Sequence, residues 1–319
     1  MRTALRFGAA SQTEINQGYR DLIHLLVGLD RHTEIHVANS MWARTGFAPL
    51  PAFVDAARSY FDAEVRSLDF AAPGSVATIN GWVSEKTRGR IPRLLESLAA
   101  DEVLFLVNAI YFKGVWRLKF DKARTTPEGF HGADGVTRQV PMMRHGVQNI
   151  RFAEAPDLVA VDLLYGNGTF AMTVLLPRPP QTPAGLVRRL DPSAWTALTE
   201  QFAEREIGLS LPRFRLDYSR SLRDDLSALG MEIAFDDQRA DLSGIADPSF
   251  GRLVLTRVIQ KTFVEVNEEG TEAAAATGTG VGVVSAPPVV LVNRPFLFAI
   301  RERLTGTILF LGVVNVLGD

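Results

Sequence analysis

No cysteine occurs in the 319 residues, which excludes disulfide bonds and thiol chemistry and leaves the redox compartment undecided. Neither sign of charge predominates: 34 basic against 36 acidic side chains leave a formal charge of -2. That balance supplies no electrostatic case for a nucleic acid or an anionic membrane as partner. No window approaches the roughly 20 apolar residues of a membrane span. The opening Met1-Arg-Thr-Ala-Leu-Arg-Phe lacks the apolar core of a signal peptide, so the chain as it stands reads as soluble and without an export signal. A Gly-x-Ser-x-Gly nucleophile elbow is also missing. His32-Thr-Glu-Ile-His36 spaces two histidines four apart but is not His-Glu-x-x-His, and it runs into strand-like sequence, so no metal site is expected.

What is present is apolar material from end to end, 46% of the residues, with no linker to divide it. That is ample for one large core. Ile15, Tyr19, Leu22, Ile23, Leu26 and Val27 have helical spacing between about Glu14 and Leu29. A strand-like stretch follows at Glu34–Trp42. Pro51–Leu68 reads as one helix, with Phe53, Ala57, Phe61 and Val65 spaced by four. Ser75 reads as the N-cap of a third helix that gives way near Gly89. Val103–Phe112 is a mostly apolar run rich in branched and aromatic residues and reads as a central strand buried on both faces. Further strands are expected at Leu158–Tyr165, Phe170–Leu176, Ile207–Leu211 and Leu253–Val266. Phe296–Arg301 and Ile308–Val314 should form a hairpin about Thr305-Gly306. Pro183–Phe202 and Leu222–Leu229 supply more helix. Helices concentrate in the first third and strands beyond it, which favours an α+β fold with large, mostly antiparallel sheets.

The least ordinary segment runs from Glu268 to Pro288: Glu-Glu-Gly-Thr-Glu-Ala-Ala-Ala-Ala-Thr-Gly-Thr-Gly-Val-Gly-Val-Val-Ser-Ala-Pro-Pro. One reading is a flexible surface loop; loops of this length in compact domains are usually functional or disordered. With strand periodicity, one face would carry Thr271, Ala273, Ala275, Thr277, Thr279, Val281 and Val283, all small or β-branched. The opposite face would carry Glu272, Ala274, Ala276 and the glycines 278, 280 and 282. From Ala273 to Val284 there is neither a charge nor a proline. The loop could therefore become a central strand without burying a charge, a property odd for a linker and necessary for a loop that inserts.

Glu268-Glu-Gly-Thr-Glu-Ala-Ala-Ala-Ala-Thr277 resembles the hinge of inhibitory serpins, the serine protease inhibitor family. Val292-Asn-Arg-Pro-Phe-Leu-Phe298 resembles the strand motif after the family's reactive loop, and Leu311-Gly-Val-Val-Asn315 its closing strand. Val107-Asn-Ala-Ile-Tyr-Phe-Lys-Gly-Val-Trp116 is similar to the third strand of its main sheet. Val140-Pro-Met-Met143, Leu211-Pro-Arg-Phe214 and Ala240-Asp-Leu-Ser-Gly-Ile245 match further segments in the expected order. The resemblance, of bacterial type, runs from about residue 13 to the end.

The resemblance implies a serpin-like α+β fold with a large mixed or antiparallel main sheet, further smaller sheets and packed helices. It also implies an inhibitor that is not itself an enzyme, is monomeric and needs no cofactor. Its reactive loop would span about 268–288, hinged on Glu268, Glu269, Gly270, Thr271, Ala273, Ala275 and Thr277. Counting from Gly270 at the family spacing puts the reactive bond between Val284 and Ser285. A target serine protease would attack Val284, and residues from about Thr271 to Val283 would then enter the main sheet. Val284, a small branched aliphatic, suits the shallow pocket of an elastase-like protease. Asn108 matches a polar residue beneath the sheet where strands must part; its usual histidine partner is Gln260 here. Trp116, Arg213 and Glu268 match the region where insertion begins, with Arg213–Glu268 as an ion pair. An extracellular or cell-envelope location is suggested by the resemblance alone.

The family opens with two long helices and a Phe-Ser-Pro-type strand, and nothing here resembles them. The chain thus reads as a single domain, 1–319, lacking its N-terminal helices. A non-inhibitory relative or degenerate fragment, cleaved as a simple substrate, is the alternative; the three loop glycines, which weaken a strand, favour it.

Overall fold

A computed structural model describes residues 2–99, 101–271 and 287–318. In chain order the elements are α1 (Gln12–Gly28), β1 (Thr33–Arg44), α2 (Pro51–Phe61), β2 (Glu64–Leu68), α3 (Ser75–Lys86) and β3 (Leu104–Val115). Next come β4 (Thr126–His131), β5 (Thr137–Ala155), β6 (Leu158–Leu164), β7 (Phe170–Pro177), α4 (Pro183–Arg189) and α5 (Pro192–Glu200). The remainder is β8 (Ala203–Pro212), β9 (Phe214–Ser221), α6 (Arg223–Leu226), β10 (Ile259–Val266), β11 (Gly270–Thr271), β12 (Val289–Leu291), β13 (Phe296–Glu302) and β14 (Ile308–Val314).

The chain forms two compact units; it first crosses between them at the end of α1 and thereafter inside strands. One unit comprises Met1–Gly28, Ile35–Tyr111 and Leu216–Phe263. Here β1 lies between β2, to which it is parallel, and β3. Trp42, Ile79, Trp82, Val83, Leu95 and Val107 form its main core, with Trp42 and Trp82 edge to face at 6.3 Å. The expected helix over Pro51–Leu68 ends at Phe61. Asp62 turns left-handed (φ +50°) and its amide caps back to Ala57, after which Glu64–Leu68 is strand. The period-four spacing from Phe61 to Val65 was therefore fortuitous. Gly74, not Ser75, occupies the N-cap of α3; the Ser75 hydroxyl instead donates to the Asp69 carbonyl. β3 is not buried on both faces along its length, since Leu106 is 55% exposed and Asn108 is also exposed. The strand expected from Leu253 begins only at Ile259.

The second unit comprises Leu29–Glu34, Phe112–Arg215 and Val264–Asp319. Its eight-stranded sheet runs β12-β8-β5-β6-β7-β13-β14, with β4 also on β5. All of β7 and all of β13 are buried, as expected of strands with a partner on each side. β13 and β14 form the expected hairpin, antiparallel from Phe296↔Val314 onward. The helix expected over 183–202 is divided, because Asp191 caps a new one by accepting from the Ala194 amide and Pro192 cannot continue the first. Leu186 of α4, Leu198 of α5 and Phe202 just beyond it pack with Ala153, Ala160, Leu175 and Leu297. The fold is α+β with a large mixed sheet, as expected.

Candidate functional site

At the end of β10 the backbone reverses. Asn267 and Gly270 exchange hydrogen bonds (3.0 and 3.3 Å), and the Asn267 side chain accepts from the Glu269 amide. The reversed chain then pairs antiparallel with β3, Gly270 opposite Val115 and Thr271 opposite Gly114. Two further backbone bonds hold the turn: the Trp116 amide donates to the Glu269 carbonyl (2.8 Å) and the Phe120 amide to that of Glu268 (2.9 Å). Only glycine fits at 270. Its φ is +134°, and a Cβ there would lie 2.1 Å from the Gly114 carbonyl oxygen and 2.8 Å from the Trp116 nitrogen.

Side chains brace the same turn. The Trp116 indole donates to the Asn267 carbonyl (2.9 Å) and stacks on Tyr165 at 4.4 Å, 13° from parallel. Gly114 makes room for that stack, since a Cβ there would lie 2.6 Å from the Tyr165 ring. Glu268 is 1% exposed yet stays ionised. Burial raises its pKa, but hydrogen bonds from Arg213 (2.5 Å) and Thr125 (2.8 Å) outweigh this and hold it below the ordinary glutamate value. Glu269 pairs with Lys122. Beneath the strap 116–125, His145 stacks on Phe120 at 3.9 Å. Burial pushes its pKa down to about 4, opposed by a hydrogen bond to the Leu118 backbone and assisted by the nearby Arg124 charge; its Nε2 is buried without a partner.

The structure thus brings together Trp116, Arg213, Glu268, Glu269, Gly270 and the backbone of Thr271. Ala273, Ala275, Thr277, Val284 and Ser285 lie outside the described residues. Among the described residues no hydrogen bond joins Asn108 to Gln260, which is exposed on β10. Its amide donates to Asn39 on the adjacent β1 (2.8 Å), and Asn39 donates to the Phe61 carbonyl at the end of α2 (2.6 Å). Asn39, Phe120, Lys122, Thr125 and Tyr165 went unrecognised in the sequence. Lys122 and Thr125 lie in a polar segment without periodicity, so no sequence signal marks them.

A family model described as Serpin (serine protease inhibitor) matches residues 1–316. The chain is a serpin. Iripin-8 of Ixodes ricinus is 35% identical over 98% of this chain and 81% of that protein, and Serpin B11 of Homo sapiens 34% over 89% and 74%. Among solved structures, the thermophilic serpin tengpin in its native state superposes with a TM-score of 0.88 at 27% identity, covering 99% of this serpin and 81% of that chain. Human glycosylated kallistatin gives 0.89 at 27% identity, covering 99% and 84%. Serpins are generally protease inhibitors and not enzymes.

Proposed function

We propose that this serpin traps a serine protease covalently, as a suicide substrate. The protease serine adds to the Val284 carbonyl carbon and the bond to Ser285 breaks. The amine of Ser285 leaves with a proton, and an ester joins Val284 to the enzyme. Residues 271–283 then add to the sheet beside β3. Loop insertion in serpins is a switch that releases strain stored in the native fold.

One observation carries the reading. Gly270 and Thr271 already form the first antiparallel pairs with β3, and among the described residues no other strand pairs with that edge of β3. At about 3.3 Å per residue, a strand from 271 to 283 would carry the acyl group about 43 Å. New ladder bonds contribute about 0.5–1.5 kcal/mol each against ordering costs of about 1–2 kcal/mol per residue. Most of the drive must then come from strain released elsewhere in the fold. Val284 supports an elastase-like target, and the family supports a monomer acting outside the cell or in its envelope.

The test is a denaturing gel of the purified protein mixed with an elastase-like serine protease. An SDS-resistant band at the summed mass less that of the peptide beginning at Ser285, which is released, is the expected result. Clean cleavage at that bond without the heavier band would make the protein a substrate, the outcome favoured by Gly278, Gly280 and Gly282 if they weaken the inserted strand. Trapping of trypsin but not elastase would refute the role given to Val284.

A further inference from the structure

Away from the hinge turn, two arginines of the eight-stranded sheet, Arg151 and Arg301, meet one carboxylate, Asp162, and two more, Arg303 and Arg117, meet beside Gly168. Arg151 on β5, Asp162 on β6 and Thr173 on β7 stand side by side in register. Arg301 reaches in from β13. Asp162 is buried with both oxygens engaged: Oδ1 accepts from the Thr173 hydroxyl (2.5 Å) and Oδ2 from Arg301 Nη2 (2.6 Å). Arg301 Nε completes the triangle on the Thr173 oxygen (2.9 Å). One carboxylate and one guanidinium are thereby matched.

Among the described residues, three more guanidinium groups make no hydrogen bond to a carboxylate. Arg151 Nε lies 3.6 Å from Asp162 Oδ2, buried and without a hydrogen-bond partner, while its cation stacks over the Phe202 ring. Arg303 donates to the Gly168 carbonyl (2.5 Å). Arg117 points to the same place, for a Cβ at Gly168 would lie 3.2 Å from Arg117 Nη1 and 3.7 Å from Arg303 Nη1. Among the described residues no ion pair joins Arg117 or Arg303 to any carboxylate. Glu204, opposite Arg151 across the β5–β8 ladder, is exposed. Burial and then the charges of Arg151, Arg301 and Arg117 hold the Arg303 pKa below its ordinary value, with Asp162 opposing. Arg151 and Arg303 are half-buried and Arg117 is exposed at the mouth; like charges held close repel, and planar forks with unused donors match the oxygens of phosphate and sulfate.

We propose that Arg117, Arg151 and Arg303 form a binding site for a multivalent oxyanion, a phosphate or sulfate group. The ligand supplies the acceptors that these guanidinium groups lack and offsets the surplus charge around Asp162. Arg301 is the positioning member, fixed by Asp162 and Thr173 and not free to turn to a ligand.

Inorganic phosphate, titrated at constant ionic strength made up with sodium chloride, is the probe, and the thermal midpoint is the readout. Phosphate also strengthens burial generally by exclusion from protein surface, so the decisive quantity is the difference between proteins. The wild type and an exposed control, Arg239→Gln, should show a saturable rise. At ten times Kd the folded-to-unfolded ratio should be raised about tenfold. The double variant R117Q/R303Q should lose the saturable part. R117Q alone, which removes a side chain without a hydrogen-bond partner among the described residues and so should fold, should weaken it several-fold. Arg303→Lys, which keeps charge but not the fork, should fall between. A double variant that responds like the wild type, or a rise that saturates in none of the proteins, overturns the assignment.

Discussion

Replacing His145 with phenylalanine should remove a defined part of the protein's acid sensitivity. The folded protein holds this imidazole neutral down to about pH 4, whereas its ordinary value is 6.5. Between those values the unfolded chain binds a proton that the folded chain refuses, so stability falls as pH falls from about 6.5 toward 4. Above that window the histidine contributes no slope. Applied between pH 7 and pH 5, the linkage relation gives a loss of about 2 kcal/mol from this one group. Phenylalanine preserves a ring against Phe120 but cannot titrate, and it gives up the bond to the Leu118 backbone. It therefore shifts the absolute stability by about 1 kcal/mol while abolishing the His145 part of the slope. Urea unfolding of both proteins at pH 7 and pH 5 reads the difference directly, because carboxylates that titrate in the same range are common to the two. If wild type and H145F lose the same free energy between those pH values, the imidazole is not excluded from protonation and the account of the packing beneath strap 116–125 fails.

Two further outcomes follow from the hinge. Gly270→Ala places a Cβ against the Gly114 carbonyl, and strain of about 1–3 kcal/mol should speed exchange of the Trp116 and Phe120 amides about tenfold or more; unchanged protection would show that the turn tolerates a side chain. Arg213→Ala leaves the buried Glu268 carboxylate without its cation, which should destabilise by about 1–3 kcal/mol. Glu268→Gln should make that loss smaller, so a double-mutant cycle should return a coupling of about 1 kcal/mol or more, and strict additivity would deny the pair.

The β13–β14 hairpin was legible because its signals agree. Two apolar runs flank Thr305-Gly306, and Gly306 adopts the positive φ that such a turn requires. β5 was not legible. It carries Pro141, Arg144 and Gly146, changes partner from β4 to β8 to β6 along its length, and breaks register between His145 and Gln148. No single alternation of apolar and polar residues survives such a path. The site divides in the same way. Glu268 and Arg213 were recognisable from a motif, but Lys122 and Thr125 reach the turn only because backbone bonds from Trp116 and Phe120 lay their segment against it. Asn108 was recognisable from a motif as well, but its hydrogen-bond partner Asn39, on the neighbouring strand, carries no such mark.

Every residue of β13 is shielded from water, and it is laddered to β7 on one side and β14 on the other. Both β13 and β14 follow the segment in which the reactive bond is proposed. Severing the chain there would consequently leave no loose tail. The 35 residues from Ser285 to Asp319 would remain woven into the fold as a non-covalent second chain, and a nicked molecule would pass a sizing column at full mass. Its two pieces would part only when the sheet itself is dissolved, so the scar of an encounter with a protease would be a permanent record carried in an outwardly intact protein.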